Sequence, residues 1–219
     1  MDTVSVRQTI ASAKRHEQQS GELARQLLLV SNNLHPSIDL PADNAVAVLL
    51  NFTNRYIDNV PELIEAVQAI ADGSGLSNYT DPVINLAVDF FVTPPQSLDG
   101  LEGMKATMAQ AYLAHRLVEE LNDRFLLKCN LTLIPMDMTR SNLLIHYLIG
   151  EPLANNLDHA VKTELDTLEM NEDLFSSASL LSFRDARSHG QNMDYSRWHC
   201  LADSLAINLS WGQHLTQLH

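Results

Sequence analysis

The segment AYLAHRLVEELNDRF, residues 111–125, sets His115, Glu119 and Asp123 at successive four-residue steps. On a helix that spacing stacks an imidazole over two carboxylates. Such a row can ligate a metal, move a proton, or decorate a wet surface. Rotation by about 100° per residue separates these uses. In the second half of the segment the apolar face is Leu113, Ala114, Leu117, Val118, Leu121 and Phe125, and the row lies off its centre. In the first half, Met104, Met108, Ala111 and Tyr112 share the side of His115 and Glu119. A helix apolar on different sides in its two halves is contacted on both. His115 and Glu119 are therefore expected at the edge of a buried seam, where a carboxylate is desolvated and a histidine holds one tautomer. The plainer reading is an ordinary surface pair worth a few tenths of a kcal/mol, and it carries more weight. Glu119 is the member expected to matter, because it shares a side with the methionines.

Other polar residues interrupt apolar helical faces. Glu164 points near the middle of the stripe Leu153, Leu157, Ala160, Val161, Leu165 and Leu168. A carboxylate there needs a partner such as Arg116 or Arg140, or a route to water. Asn85 and Asp89 break VINLAVDFF, and Asn142 and His146 break RSNLLIHYLI, both at four-residue spacing. His115, Glu119, Asp89, His146 and Glu164 thus form a candidate set drawn from four helices. Met104, Met108 and Tyr112 outline a candidate groove for an apolar ligand or a partner helix. For metal, the ligands would be His115, Glu119, His146 and Glu164.

Recognisable chemistry motifs are missing. No glutamate is followed by histidine three residues later, and neither HExxH nor an adjacent His-Asp pair occurs. GxSxG and phosphate-binding glycine loops are absent too. His16, in AKRHEQQ, is a residue type that holds haem iron, but no glycine-bearing helix that would cover a haem is evident. Cys129 and Cys200 belong to no CxxC pair and read as small apolar residues in a reducing compartment. No cofactor is assigned.

Bulk properties narrow the field. The net charge is −13, from 27 acidic and 14 basic residues with no basic block. Nucleic-acid and anionic-membrane binding both draw on clustered cations, so neither is expected. No apolar run is as long as a membrane span, and residues 1–19 lack the apolar core of a signal peptide. A cytoplasmic location is expected.

The elements that must position these residues are helical. Periodicity predicts a first segment over 4–32 that Gly21 bends or breaks, then helices over 44–58 and 61–71, the second opened by Pro61. A helix over 82–92 is opened by Pro82, and the longest runs over 101–128. CNLTLIP reads as extended loop. Thr139 is placed to cap RSNLLIHYLI, Gly150 to end it, and Pro152 to open a helix over 152–170. Two amphipathic pieces, 172–187 and 194–211, close the chain; Trp198, Leu201, Ala202, Leu205 and Leu209 share a face in the second. The expectation is an all-α, single-domain irregular bundle of about seven to nine helices. It spans 1–219, and 171–219 forms a C-terminal helical extension packed on the body. The expected function is binding of a partner protein or a small apolar ligand in a helical groove, without catalysis, in a chain able to form a homodimer. The alternative is a metal-dependent enzyme with a His/carboxylate site inside the bundle.

Overall fold

The computed structural model describes residues 3–41, 43–168, 178–188 and 207–209. The chain is all-α, with eight α-helices among the described residues: α1 (Val4–Ser20), α2 (Glu22–Ser31), α3 (Ala45–Ser74), α4 (Ser77–Val92), α5 (Gly103–Cys129), α6 (Thr139–Ile149), α7 (Leu153–Thr167) and α8 (Ala178–Ser188). No helix among these residues is long and apolar enough to cross a membrane.

Helix α5 is the axis. It packs against α1, α3, α4, α6 and α7, and every residue from Thr107 to His115 is buried. Over that stretch the helix is enclosed on all sides, whereas Asp123, Leu126 and Leu127 near its end are exposed, which is why its two halves show different apolar sides. The loop after it is tied back by Asn122. Its amide donates to the Ile134 carbonyl (3.0 Å) and accepts from the Ile134 N–H (2.9 Å), both buried. The loop thereby satisfies backbone groups that burial would otherwise leave unpaired.

Several boundaries differ from the sequence expectation. Gly21 does separate two helices, at φ 62°, and its N–H closes α1 on the Glu17 carbonyl. The Glu17 carboxylate then caps α2 by accepting from the N–H groups of Leu23 (3.0 Å) and Ala24 (3.1 Å). Pro61, by contrast, lies within an unbroken α3, which at 30 residues replaces the 27-residue α5 as the longest described helix, and Pro82 lies within an α4 that starts at Ser77. A proline inside a helix costs about 3 kcal/mol in lost hydrogen bonding and ring clash. In α3 the apolar stripe runs in phase through the proline, burying Tyr56, Ile57 and Val60 before it and Leu63, Ile64 and Val67 after it. That burial is worth more than the defect costs. Position Asn208–Leu209 also departs from expectation. These residues form a short strand, β2, antiparallel to β1 (Ile38–Asp39), instead of ending a helix. Ile207 and Leu209, two residues apart, are both buried, the spacing that places residues on one face of a strand. The rest of that expected helix, including Trp198, Leu201, Ala202 and Leu205, lies outside the described residues, as does most of 171–219. Within the extension, α8 buries Leu180 and Phe183, and the Phe183 ring meets Phe125 edge-on at 6.4 Å.

Gly103 opens α5 at φ 56°, and a Cβ there would stand 2.8 Å from Cδ2 of His16. Gly103→Ala is expected to cost about 1–2 kcal/mol for the left-handed backbone alone. A chemical-denaturation midpoint that does not move would show that the helix start rotates to relieve it.

A polar cleft between three helices

One face of α5 carries Tyr112, Arg116 and Glu119, at i, i+4 and i+7. Helix α6 crosses that face and brings Thr139, Asn142, Leu143 and His146; the turn at Gly150 folds α7 back to add Asp158. These residues line a cleft of about 240 Å³.

Arg116 is its centre. Its Nε donates to Asp158 Oδ1 (3.0 Å), and its Nη1 donates to Glu119 Oε2. Glu119 is 9% exposed and also accepts from the Thr139 hydroxyl (2.9 Å) and the Asn142 amide (2.6 Å). Thr139 therefore spends its hydroxyl on Glu119 and does not cap α6 with it, contrary to the sequence expectation; its own N–H donates to the Asp137 side chain. Asn142 in turn accepts from the buried Tyr56 hydroxyl at 2.6 Å. On the other side, the Tyr112 hydroxyl donates to Asp158 Oδ1 (2.7 Å), and His146 Nε2 lies 3.1 Å from Asn155 Oδ1 and 3.5 Å from Asp158 Oδ2. The network ties α3, α5, α6 and α7 together through polar groups alone.

Protonation follows from this packing. Burial lowers the Arg116 pKa, but the Glu119 and Asp158 carboxylates overcome that and hold the guanidinium charged well above its usual range. Burial pushes the Tyr112 hydroxyl up, and its bond to Asp158 pushes it further, so it is a donor at any ordinary pH. Tyr56 is raised by burial as well. His115 is driven down to about 4 by complete burial, so it is neutral. Its Nδ1–H donates to the Ala111 carbonyl (2.9 Å), and Nε2 lies 3.3 Å from Asn59 Oδ1, so with Nδ1 protonated the Asn59 side chain must turn its NH2 toward the ring to pair with Nε2. The ring stacks on Tyr56 with centroids 4.0 Å apart.

The sequence-derived candidates separate clearly. Tyr112, Glu119 and His146 converge in the cleft. His115 sits behind it, reaching Glu119 through Tyr56 and Asn142. Met104 and Met108 are 2% exposed and belong to the hydrophobic core. Asp89, like Asn85, faces solvent on α4, and Asp123 faces solvent on α5. Glu164 also faces solvent, against the expectation that it sits within the α7 stripe. The helix docks through Ala154, Leu157, Val161 and Leu165, leaving Leu153 and Ala160 half-buried. That rotation moves Glu164 out and turns Asp158 in.

Two residues of the cleft were not among the sequence-derived site candidates: Arg116, named only as a possible partner for Glu164, and Asp158. Arg116 stands four residues after Tyr112 and three before Glu119, a signal that was present. Asp158 had no signal before the orientation of α7 was known. For metal, the guanidinium occupies the place between the two carboxylates that a cation would take. Among the described residues no group of three or more histidines, cysteines, aspartates or glutamates is arranged to hold a metal ion.

Tyr112→Phe removes one hydrogen bond to a charged acceptor and is expected to cost about 1.5–3 kcal/mol. A urea midpoint equal to that of the parent chain would show that water replaces the hydroxyl without loss.

Comparison of the chain with protein-family models, with curated proteins and with solved structures finds no match.

Proposed function

We propose that the cleft between α5, α6 and α7 binds a small, uncharged amphipathic molecule and does not transform it. One observation carries this reading. The polar cleft shares Leu143 and His146 with a second cavity of about 380 Å³ that continues along α6 past Tyr147, Gly150 and Glu151. A polar end is thus followed by a less polar channel, with Leu143 exposed at the junction. Arg116 Nη2 makes no hydrogen bond among the described residues and is the donor available to a ligand carbonyl or hydroxyl. The two carboxylates flanking Arg116 leave the site without net positive charge, which disfavours an anionic head group. Glu119 takes three donors and is committed to structure, which favours binding over proton transfer.

A thermal-shift series of eight-carbon compounds tests this: octanamide, octanol, octylamine and octanoate, each at about 1 mM. Octanamide and octanol are expected to raise Tm, octanoate is not, and Leu143→Trp should abolish the shift by filling the mouth. A series that leaves Tm unchanged, or a shift that survives Leu143→Trp, would sink the reading.

A second reading has its own observation. Asp158 lies within 3.5 Å of His146 Nε2, and His146 Nδ1 makes no hydrogen bond among the described residues. An imidazole oriented this way serves as a general base. Release of p-nitrophenolate from its octanoyl ester, lost in His146→Gln, would support catalysis. A partner protein or a second copy of the chain is the remaining class of occupant. Exposed Leu126 and Leu127 at the end of α5 are the residues that would be covered, and sedimentation velocity distinguishes monomer from dimer. The reading also keeps the chain in the cytoplasm, which cell fractionation tests.

A further inference from the structure

The short ladder of β1 and β2 fixes where the chain leaves the body. The strands are antiparallel, with Ile38 opposite Leu209 and Asp39 opposite Asn208. β1 starts straight out of a tight turn, in which the Ile38 N–H donates to the His35 carbonyl (2.9 Å). The chain beyond Leu209 therefore runs out over that turn, toward His35. Trp211 follows Leu209 by two residues, the spacing that keeps a strand's side chain on the same face as buried Ile207 and Leu209. Residues 210–219 themselves lie outside the described residues.

The same turn is tied to the apolar channel along α6. The Tyr147 hydroxyl donates to the Asn33 carbonyl (2.8 Å) and accepts from the His35 N–H (3.0 Å). The Tyr147 ring is one wall of the 380 Å³ cavity, with Leu143, His146, Gly150 and Glu151 forming the rest. A cavity of that size falls within the range of small-ligand pockets and admits an indole. Leu143, at its mouth, is 41% exposed. Covering an aromatic side chain takes about 150–250 Å² out of water, provided its polar atom keeps a partner. For an indole N–H the Glu151 carboxylate is an acceptor in the same wall.

We propose that the segment following β2 docks in this channel through Trp211 and competes there with the ligand inferred above. The indole lies against Tyr147 and Leu143, and its N–H donates to Glu151. One residue separates Trp211 from the ladder, so docking is intramolecular, and a competitor faces an effective concentration on the order of millimolar. The competition rests on the ligand reading of the cleft; the docking does not.

The test reads Trp211 itself. Trp198→Phe leaves it as the only tryptophan. Its emission is expected to be blue-shifted from that of N-acetyltryptophanamide and shielded from acrylamide, at every protein concentration. Leu143→Glu sets a charge in the channel mouth at an already exposed position, and should move the emission to the red and open it to the quencher. If Trp198→Phe unfolds the chain, the Trp211 indole N–H signal of the ¹⁵N-labelled parent, assigned by Trp211→Phe, gives the same readout. A fully exposed Trp211 overturns the proposal, and so does shielding unmoved by Leu143→Glu, which places the indole elsewhere, as on exposed Leu28 and Leu29 of α2. Shielding that grows with protein concentration overturns it too, since the occupant is then a second copy. In the ligand arm, Trp211→Ser should tighten octanamide binding about tenfold, the gain from removing a competitor docked about nine-tenths of the time. Octanamide binding unaltered by Trp211→Ser overturns the competition. A shielded Trp211 in a chain that binds no octanamide, even as Trp211→Ser, sinks the ligand reading and leaves the docking standing; octanamide binding beside an exposed Trp211 does the reverse.

Discussion

Glu119→Ala is expected to lower the unfolding free energy by about 3–5 kcal/mol, the cost of removing one partner from a buried ion pair. The carboxylate is 9% exposed and accepts from Arg116, Thr139 and Asn142. Without it, Arg116 keeps only Asp158, and the Asn142 amide loses its acceptor between α5 and α6. Tyr56 is affected in turn, because Asn142 is the group its buried hydroxyl donates to. Glu119→Gln keeps the volume and one carbonyl oxygen, so a smaller loss of about 1–3 kcal/mol is expected. Urea unfolding at neutral pH measures both. A midpoint shift equivalent to less than about 1 kcal/mol for the alanine variant would mean that water already solvates this network in solution.

His115 makes the second large prediction, a loss of stability on mild acidification. An unfolded imidazole titrates near 6.5, and the buried ring at about 4. Above pH 6.5 both forms are neutral and the group has no effect on stability. As pH falls from 6.5 toward 4 the unfolded chain takes up a proton that the folded chain refuses, and the fold weakens. Between pH 7.5 and 5.0 the expected loss is about 2 kcal/mol. His115→Phe keeps a ring against Tyr56 and has no proton to bind, so that portion of the pH dependence should vanish from its urea midpoints. Glu65 does not confuse the result. Thr3 and Arg7 hold its carboxyl below its ordinary 4.5, so its contribution is lost only at lower pH. Parallel pH curves for parent and variant would show that the His115 ring reaches water.

The cleft was partly legible in advance. Tyr112, Glu119 and His146 stood out because each is polar on, or beside, an apolar helical face, and period alone reveals that. Helical phase also anticipated that the long helix is contacted on two sides. It failed for Met104 and Met108, since a methionine lining a groove and one filling a core have the same spacing. It failed for Glu164 because counting half-buried Leu153 and Ala160 as core rotates the inferred face of α7. Asp158 and Glu164 exchange places in that rotation. The interior prolines mislead for a related reason. A proline signals a first turn by its local chemistry, yet buried apolar residues on both sides of Pro61 carry the helix on through it.

The all-α class, the break at Gly21, the stop at Gly150 and the presence of a long helix over 103–129 follow from the chain itself. Periodicity, left-handed glycines and hydrogen bonds between near neighbours are local properties, and local properties survive without the fold. Tertiary packing alone decided which polar residues meet. Arg116 lies 42 residues from Asp158, and Tyr56 lies 86 from Asn142. Contacts across such separations depend on the rotation of each helix about its own axis, and that rotation is set by how its neighbours bury it.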